Sequence, residues 1–514
     1  MSATVPRPIP RSTIDSSDII ATLRRAVKGD PDAATRCGIL AMRAHLEEEA
    51  VDLLRAAADR HCGHATLSQV FGLVARNLGD MKTACAALAR AHQRAPADAL
   101  IAHGLARARI EAGYPAIDDY RRALKLAPAE SAVILGLAAA RFAERDVDGA
   151  IDHIAGIVAQ QPLWLDGHAT LARLRGMVGR DDDMASYREA VTKLPQAAAL
   201  WQAWLATLAA AERFSDMAMV VAAARRAAPA TPGLELYDAV AADETGDVDR
   251  AGAILDRLPY HDDAAIIIRK VRSLLRRGRP TEAAALAESG TALAGGNGLW
   301  PYVALAWRLL DDPRWTWLEG DPSFVQVHDI GDQIGDLAAL AAHLRKLHIA
   351  TAQPLDQSVR GGTQTDGALF SRLDPEIGRL RAAVQKAVAA YVAALPPPDA
   401  AHPLLGARRR PIRFAGSWSV RLTGGGHHAD HIHGQGWISS ALYVALPPGL
   451  DGGDHAGWLT LGASQALLPG LAPVRLIEPK PGRLVLFPST MWHGTNRFPA
   501  GERLTVAFDV ARLI

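Results

Sequence analysis

Between residues 427 and 433 the chain reads His427-His428-Ala429-Asp430-His431-Ile432-His433, four histidines and one aspartate in seven residues. Imidazole and carboxylate are the side chains that hold a transition metal or move a proton near neutral pH, so this density raises metal ligation first. A strand would sort the cluster by parity: His428 and Asp430 share a face with Ile432, while His427, His431 and His433 share the other. The competing reading is an exposed His-rich loop. Beside it, the run Gly424-Gly425-Gly426 lacks the Gly-Lys-Ser/Thr ending of a phosphate loop and reads as a tight turn.

The rest of the pattern lies downstream. Pro479-Lys-Pro-Gly-Arg-Leu-Val-Leu-Phe487 is a turn followed by a buried strand, and the chain after it delivers His493 at a strand end. Ten residues later Arg503-Leu504-Thr505 opens the last strand, with Arg503 and Thr505 on one face and Leu504, Val506 and Phe508 on the other. A guanidinium on an inward face is costly unless an anion meets it.

The elements that must position these groups differ along the chain. Prolines stand at 96, 128, 162, 195, 229 and 259, each after an Ala/Leu/Arg-rich stretch, with spacings of 32, 34, 33, 34 and 30. In phase with them, Gly79, Gly246 and Gly278 each precede an alanine by five residues, at Ala84, Ala251 and Ala283. Such a glycine suits the turn between two helices, the alanine lets them approach closely, and the proline stops the second helix. The period resembles that of tetratricopeptide repeats, which implies an N-terminal α-solenoid over residues 18–295, preceded by a flexible tail over 1–17, with a groove that holds a protein or peptide partner.

From 296 the texture changes, and eight of the eleven tryptophans lie from Trp300 onward. Residues 296–350 read as bracing helices. Over 351–514, short alternating runs broken by Gly and Pro, at 416–421, 437–444, 457–461, 483–487 and 503–510, predict a double-stranded β-helix of jelly-roll or cupin-like type. The fold class expected is therefore multidomain α + β.

An H-x-[HD] pair, a distal histidine sixty residues on and Arg-x-[ST] ten residues after that together resemble the Fe(II)- and 2-oxoglutarate-dependent oxygenases, in the bacterial branch where tetratricopeptide repeats precede the oxygenase domain. The resemblance extends to Gln357-Ser-Val-Arg-Gly-Gly-Thr-Gln-Thr365, Gly416-Ser-Trp-Ser-Val-Arg421 and Trp458, and covers 296–514. It implies an oxidoreductase, a dioxygenase acting as a hydroxylase, that uses Fe(II), 2-oxoglutarate and O2. Decarboxylation of the cosubstrate to succinate then drives oxidation of a protein, a peptide or another substrate presented by the repeats.

It also implies roles. His431, His433 and His493 hold the metal on one side and leave cis positions for the 2-oxo acid and dioxygen. Asp430 is a substitute or additional carboxylate, because His428-Ala429-Asp430 spells the usual His-x-Asp. Arg503, with Thr505 and Tyr443 beside it, takes the far carboxylate of 2-oxoglutarate in a charge-assisted pair. Three imidazoles depart from the family's two-His, one-carboxylate norm and leave the iron one unit more positive. Two other readings stay open: a repeat scaffold with a silent barrel, and a cupin-like three-His metalloenzyme that uses no 2-oxo acid. Arg360 and Gln364 either line a substrate pocket or stabilise their own loop, and His402 and His455 read as solvated.

The totals narrow the field. Lys+Arg 56 against Asp+Glu 55, a net charge of +1 with no dense basic run, argues against nucleic acid and against a membrane surface. No stretch of about 18 uninterrupted apolar residues and no apolar leader occurs, so a cytoplasmic location is expected. Cys37, Cys62 and Cys85 form no CxxC pair and read as small buried residues.

Overall fold

The computed structural model describes residues 16–259, 262–365, 367–448, 450 and 455–513. Most of the expected N-terminal tail, 1–15, lies outside the described residues, and Ser16 and Ser17 already belong to the first helix, Ser16–Ala26.

The helices stop where the prolines predict, at Arg94, Leu126, Gln160, Lys193, Ala227 and Arg257. Gly79, Gly246 and Gly278 all adopt positive φ, at 73°, 97° and 68°. That left-handed step closes one helix and turns the chain into the next. The aspartates after the first two complete the signal: Asp80 accepts a hydrogen bond from the Thr83 amide at 3.1 Å and Asp247 from the Arg250 amide at 3.4 Å. Ala84, Ala251 and Ala283 are fully buried, so a larger side chain at any of them would push a helix pair apart. Among the cysteines, Cys37 is buried, but Cys62 is exposed and Cys85 half-buried, which corrects the expectation for those two.

The chain packs as two compact units, and they do not divide near 295. Among the described residues one comprises 16–160 with 367–378, the other 161–365 with 379–513. In the first, the Leu373 amide donates to the Ala112 carbonyl at 3.1 Å. In the second, the later repeat helices share cores with the β structure. Leu355 packs on the Tyr187, Trp201 and Leu205 cluster, while Leu467 and Trp492 pack with Leu274, Val303 and Trp307. The change of sequence texture at 295 marks a change of element, whereas the apolar surfaces on either side of it are buried together.

The β structure has nine strands among the described residues: β1 Gln326–Asp329, β2 Val359–Gln364, β3 Phe414–His428, β4 Gly436–Ala445, β5 Leu459–Leu461, β6 Arg475–Ile477, β7 Arg483–Pro488, β8 His493–Thr495 and β9 Glu502–Ala511. They form a six-stranded sheet, β1-β7-β4-β9-β3-β2, and a three-stranded sheet, β6-β5-β8, which is the expected double-sheet class. β9 lies between β3 and β4 in the sheet, and both of its faces are covered; Leu504, Val506 and Phe508 are fully buried, and Arg503 and Thr505 behind them are buried too. The glycine run is not a turn. It lies inside β3, where Gly425 takes φ 83° and pairing with β2 jumps from Gly362–Leu422 to Arg360–His427. It is a bulge.

Helix Leu337–Leu347 ends on His348, which is wedged against the sheet with Nδ1 2.8 Å from Thr363 Oγ1 and Nε2 3.1 Å from Ser419 Oγ. Burial, with the Arg421 cation nearby, pushes this imidazole down to about 4. The unfolded chain takes up a proton near 6.5 and the folded chain waits until about 4, so this contribution to stability is complete above 6.5 and lost as pH falls through that window. His348→Asn is expected to flatten the fall of Tm between pH 6.5 and 4. An undiminished slope would remove His348 from the account. No helix among the described residues is long and apolar enough to cross a membrane.

Candidate metal centre

β8 begins at His493, and His431 pairs with it in an isolated bridge: each amide donates to the other's carbonyl, at 2.9 and 3.0 Å. The His433 amide donates to the Ser489 carbonyl at 3.0 Å, which fixes the third histidine beside the chain leading into β8. Trp492, the residue before His493, is itself anchored. Its indole N–H donates to the Pro301 carbonyl at 3.2 Å and its ring meets Tyr302 edge to face. The bracing helix Trp300–Leu309 therefore sets the end of β8.

The three rings converge. Centroids lie 4.1 Å apart for His431 and His493, 5.0 Å for His431 and His433, and 5.1 Å for His433 and His493. One nitrogen from each lies within 4.8 Å of the others, the spacing of three ligands around one ion. The δ nitrogens are engaged elsewhere: His431 with the Ala429 carbonyl at 2.8 Å, His493 with the Met491 carbonyl at 3.0 Å, and His433 with the Asp509 carboxylate at 2.6 Å. Each of these acceptors can only accept, so each Nδ1 carries the proton and each Nε2 presents a lone pair to the centre. Burial holds the His431 and His493 imidazoles neutral, with His431 pushed down to about 3 and His493 well below its ordinary value, each lowered further by the neighbouring histidines.

Parity fails for the other half of the cluster. β3 ends at His428, and the chain turns through Ala429 and Asp430 before the His431 bridge, so alternation does not carry across. His428 lies on the same cavity as the three histidines, with Nδ1 3.1 Å from Ser358 Oγ; that hydroxyl is also 3.3 Å from His431 Nε2. Asp430 is the opposite case. Its Oδ2 accepts from the Gln465 amide at 2.7 Å, and it stands outside the convergent set, contrary to the expected extra carboxylate. His427 also lies outside that set.

The same cavity, about 290 Å³, is lined by Arg503 and Thr505. Arg503 is 2% exposed; its Nη1 donates to the Gly457 carbonyl at 2.9 Å, and its Nε has no hydrogen-bond partner. The guanidinium carbon stands 5.0 Å from the centroid of the Tyr443 ring, and the Tyr443 hydroxyl, fully buried, makes no well-formed hydrogen bond. Thr505 is paired with Tyr443 across β4 and β9. A buried cation with an unused Nε and a phenol without a hydrogen-bond partner, with the Thr505 hydroxyl beside them, fit a carboxylate, and three Nε2 lone pairs fit a divalent metal, so the residues present suit Fe(II) with a 2-oxo acid.

Other expectations resolve differently. Residues 359–364 form β2 rather than the expected loop: Arg360 donates to the carbonyls of Gln357 and Val359, at 2.7 and 3.0 Å, and pairs with Glu212, while Gln364 lines the cavity. His402 is not solvated. It is 1% exposed, with Nε2 on the Trp317 carbonyl and Nδ1 accepting from the amides of Leu404 and Leu405. His455 is exposed at positive φ beside Trp458. Sequence reasoning missed Asp509, although it stands on the same alternating face of β9 as Arg503 and Thr505.

Residues 416–509, part of the chain, match the family described as "Putative 2OG-Fe(II) oxygenase". No curated protein matches the chain. Among solved structures, the TPR protein YrrB, described as having an unusual peptide-binding site, is 14% identical over 35% of this chain and 96% of its own, with a TM-score of 0.29. A thermophilic TPR protein of Thermus thermophilus is 16% identical over 33% and 94%, with a TM-score of 0.26. A tetratricopeptide repeat protein from Parabacteroides merdae is 14% identical over 54% and 98%, with a TM-score of 0.29.

Proposed function

We propose that residues 296–514 act as an Fe(II)- and 2-oxoglutarate-dependent oxygenase, a hydroxylase, on a protein or peptide segment presented by the repeats of residues 18–295. The observation that carries this reading is a single cavity lined by both His431, His433 and His493 and the buried Arg503 with its unused Nε. When bound, iron and the 2-oxo acid supply the oxidising chemistry, which couples decarboxylation of 2-oxoglutarate by O2 to oxidation of the substrate. The chain's part is placement. Three Nε2 lone pairs hold the metal, Arg503 and Thr505 orient the cosubstrate through its far carboxylate, with Tyr443 alongside, and the apolar walls at Ala441, Leu459 and Ala507 exclude water.

A peptide substrate is supported by the mouth of the cavity. Ala210 and Glu212 lie at and just beyond the end of the repeat helix Ala198–Ala210, and a second groove lined by Thr170, Arg173, Thr207 and Leu355 shares Ala210 and Asp356 with it. Ala210→Trp, which fills the junction, is expected to cut peptide-stimulated consumption of 2-oxoglutarate at least about tenfold, the low end of what blocking a bound group costs. Basal consumption should stay. Equal loss of both activities would argue against a peptide path through this junction.

The test of the cofactor assignment is an anaerobic titration with Fe(II) and then 2-oxoglutarate, following the visible charge-transfer absorption of an iron-bound 2-oxo acid. Iron binding without that absorption at any 2-oxoglutarate concentration would favour the three-His metalloenzyme that uses no 2-oxo acid.

A further inference from the structure

The proposed ligand set is all imidazole, yet a carboxylate stands one hydrogen bond behind it. Asp509 Oδ2 lies 2.6 Å from His433 Nδ1, and its other oxygen accepts from Ser439 Oγ at 2.7 Å; Ser439 Oγ also lies 2.9 Å from Ser489 Oγ, which is left to donate to it. Both partners are largely buried, with side-chain exposures of 20% for His433 and 14% for Asp509. The aspartate is thus held by His433 through one oxygen and by Ser439 of β4 through the other, so both oxygens are engaged away from the centre. His431 and His493 have only backbone carbonyls at the same position, at 2.8 and 3.0 Å.

We propose that Asp509 is the positioning residue of the metal centre: it supplies, through His433, the negative charge that a directly bound carboxylate would otherwise bring. This rests on the reading of His431, His433 and His493 as metal ligands. A carboxylate accepting from Nδ1–H fixes the tautomer that leaves Nε2 free, and it makes that imidazole a stronger donor. It also stands a full negative charge beside a site whose three ligands are neutral, where the low dielectric strengthens the attraction. Of the carboxylates that line the cavity, Asp430 is held by the Gln465 amide, and Asp356 and Glu212 stand at its mouth.

The inference makes Asp509→Asn the informative variant. If the asparagine oxygen keeps the Ser439 bond, its amide N–H faces His433 Nδ1 and favours the tautomer with the proton on Nε2, where it blocks the metal. Fe(II) and Co(II) affinity, measured on the full chain by titration, should fall about 10- to 100-fold, the usual cost of losing such a partner. The Co(II) ligand-field spectrum should shift while the Tm of the metal-free protein changes little. Affinity within twofold of wild type would overturn the proposal. His433→Asp gives an independent reading: it creates the commoner two-His, one-carboxylate set but sets two carboxylates against each other, so it should bind metal less well than His433→Asp with Asp509→Asn. If the single variant binds as tightly as the double, or more tightly, Asp509 is not coupled to the site. Failure of the wild type itself to bind Fe(II) or Co(II) would instead refute the three-His centre, and the inference with it.

Discussion

Replacing His493 by alanine should abolish Fe(II) binding by the full-length protein. His493 is the most enclosed of the three convergent imidazoles, 7% exposed, and its backbone is the partner of His431 in the bridge that aligns the pair. With its Nε2 gone, two histidines remain, too few to hold a divalent ion against water on one face. The affinity loss should exceed about 100-fold, the upper end of what losing a mere second-layer partner costs. His431→Ala should do the same. Asp430→Ala is the control that gives the result meaning: its carboxylate is bonded to the Gln465 amide, so metal affinity should stay near that of wild type while the 465 loop loosens. Isothermal titration with Fe(II) under anaerobic conditions reads all three. A large loss with Asp430→Ala and none with His431→Ala would transfer the site to the His428-Ala429-Asp430 set.

Arg503→Met should separate ligand binding from folding. The guanidinium is buried with the Gly457 carbonyl as acceptor, the Tyr443 ring beside it and an unused Nε, so part of its desolvation cost is not repaid by the fold. A methionine of similar length should leave the Tm of the apo protein unchanged or raised. Binding of 2-oxoglutarate to the iron-loaded protein should fall by about 2–5 kcal/mol, the cost of removing one member of a buried charge pair. That is some thirtyfold to several thousandfold in affinity. Arg503→Lys keeps the charge but loses the fork, and should lie between. Unchanged 2-oxoglutarate affinity in Arg503→Met would end the cosubstrate assignment, and a large drop in apo stability would mean that Arg503 serves the fold.

Much of this was legible in the chain because the signals are local. A glycine at positive φ, an aspartate cap and a proline stop act over a few residues, and Gly79-Asp80 and Gly246-Asp247 carry the first two of them in adjacent positions. The three histidines and Arg503 could be singled out because imidazole clusters and inward guanidinium groups are chemically expensive and therefore conspicuous. Strand parity succeeded along β9, which runs unbroken from Glu502 to Ala511, and failed at His428 and Asp430, where β3 ends and the chain turns.

By itself, then, the sequence determined the helical repeats, the double-sheet class and the residue types available for a metal and a carboxylate, since periodicity and side-chain chemistry are properties of neighbours in the chain. Only the tertiary structure decided which histidines converge and which carboxylate meets one of them. His431 meets His493 through a bridge across 62 residues, and Asp509 meets His433 across 76. Strand register, set by the burial of β9 between β3 and β4, fixes those distances, and no local pattern encodes register between strands so far apart in the chain.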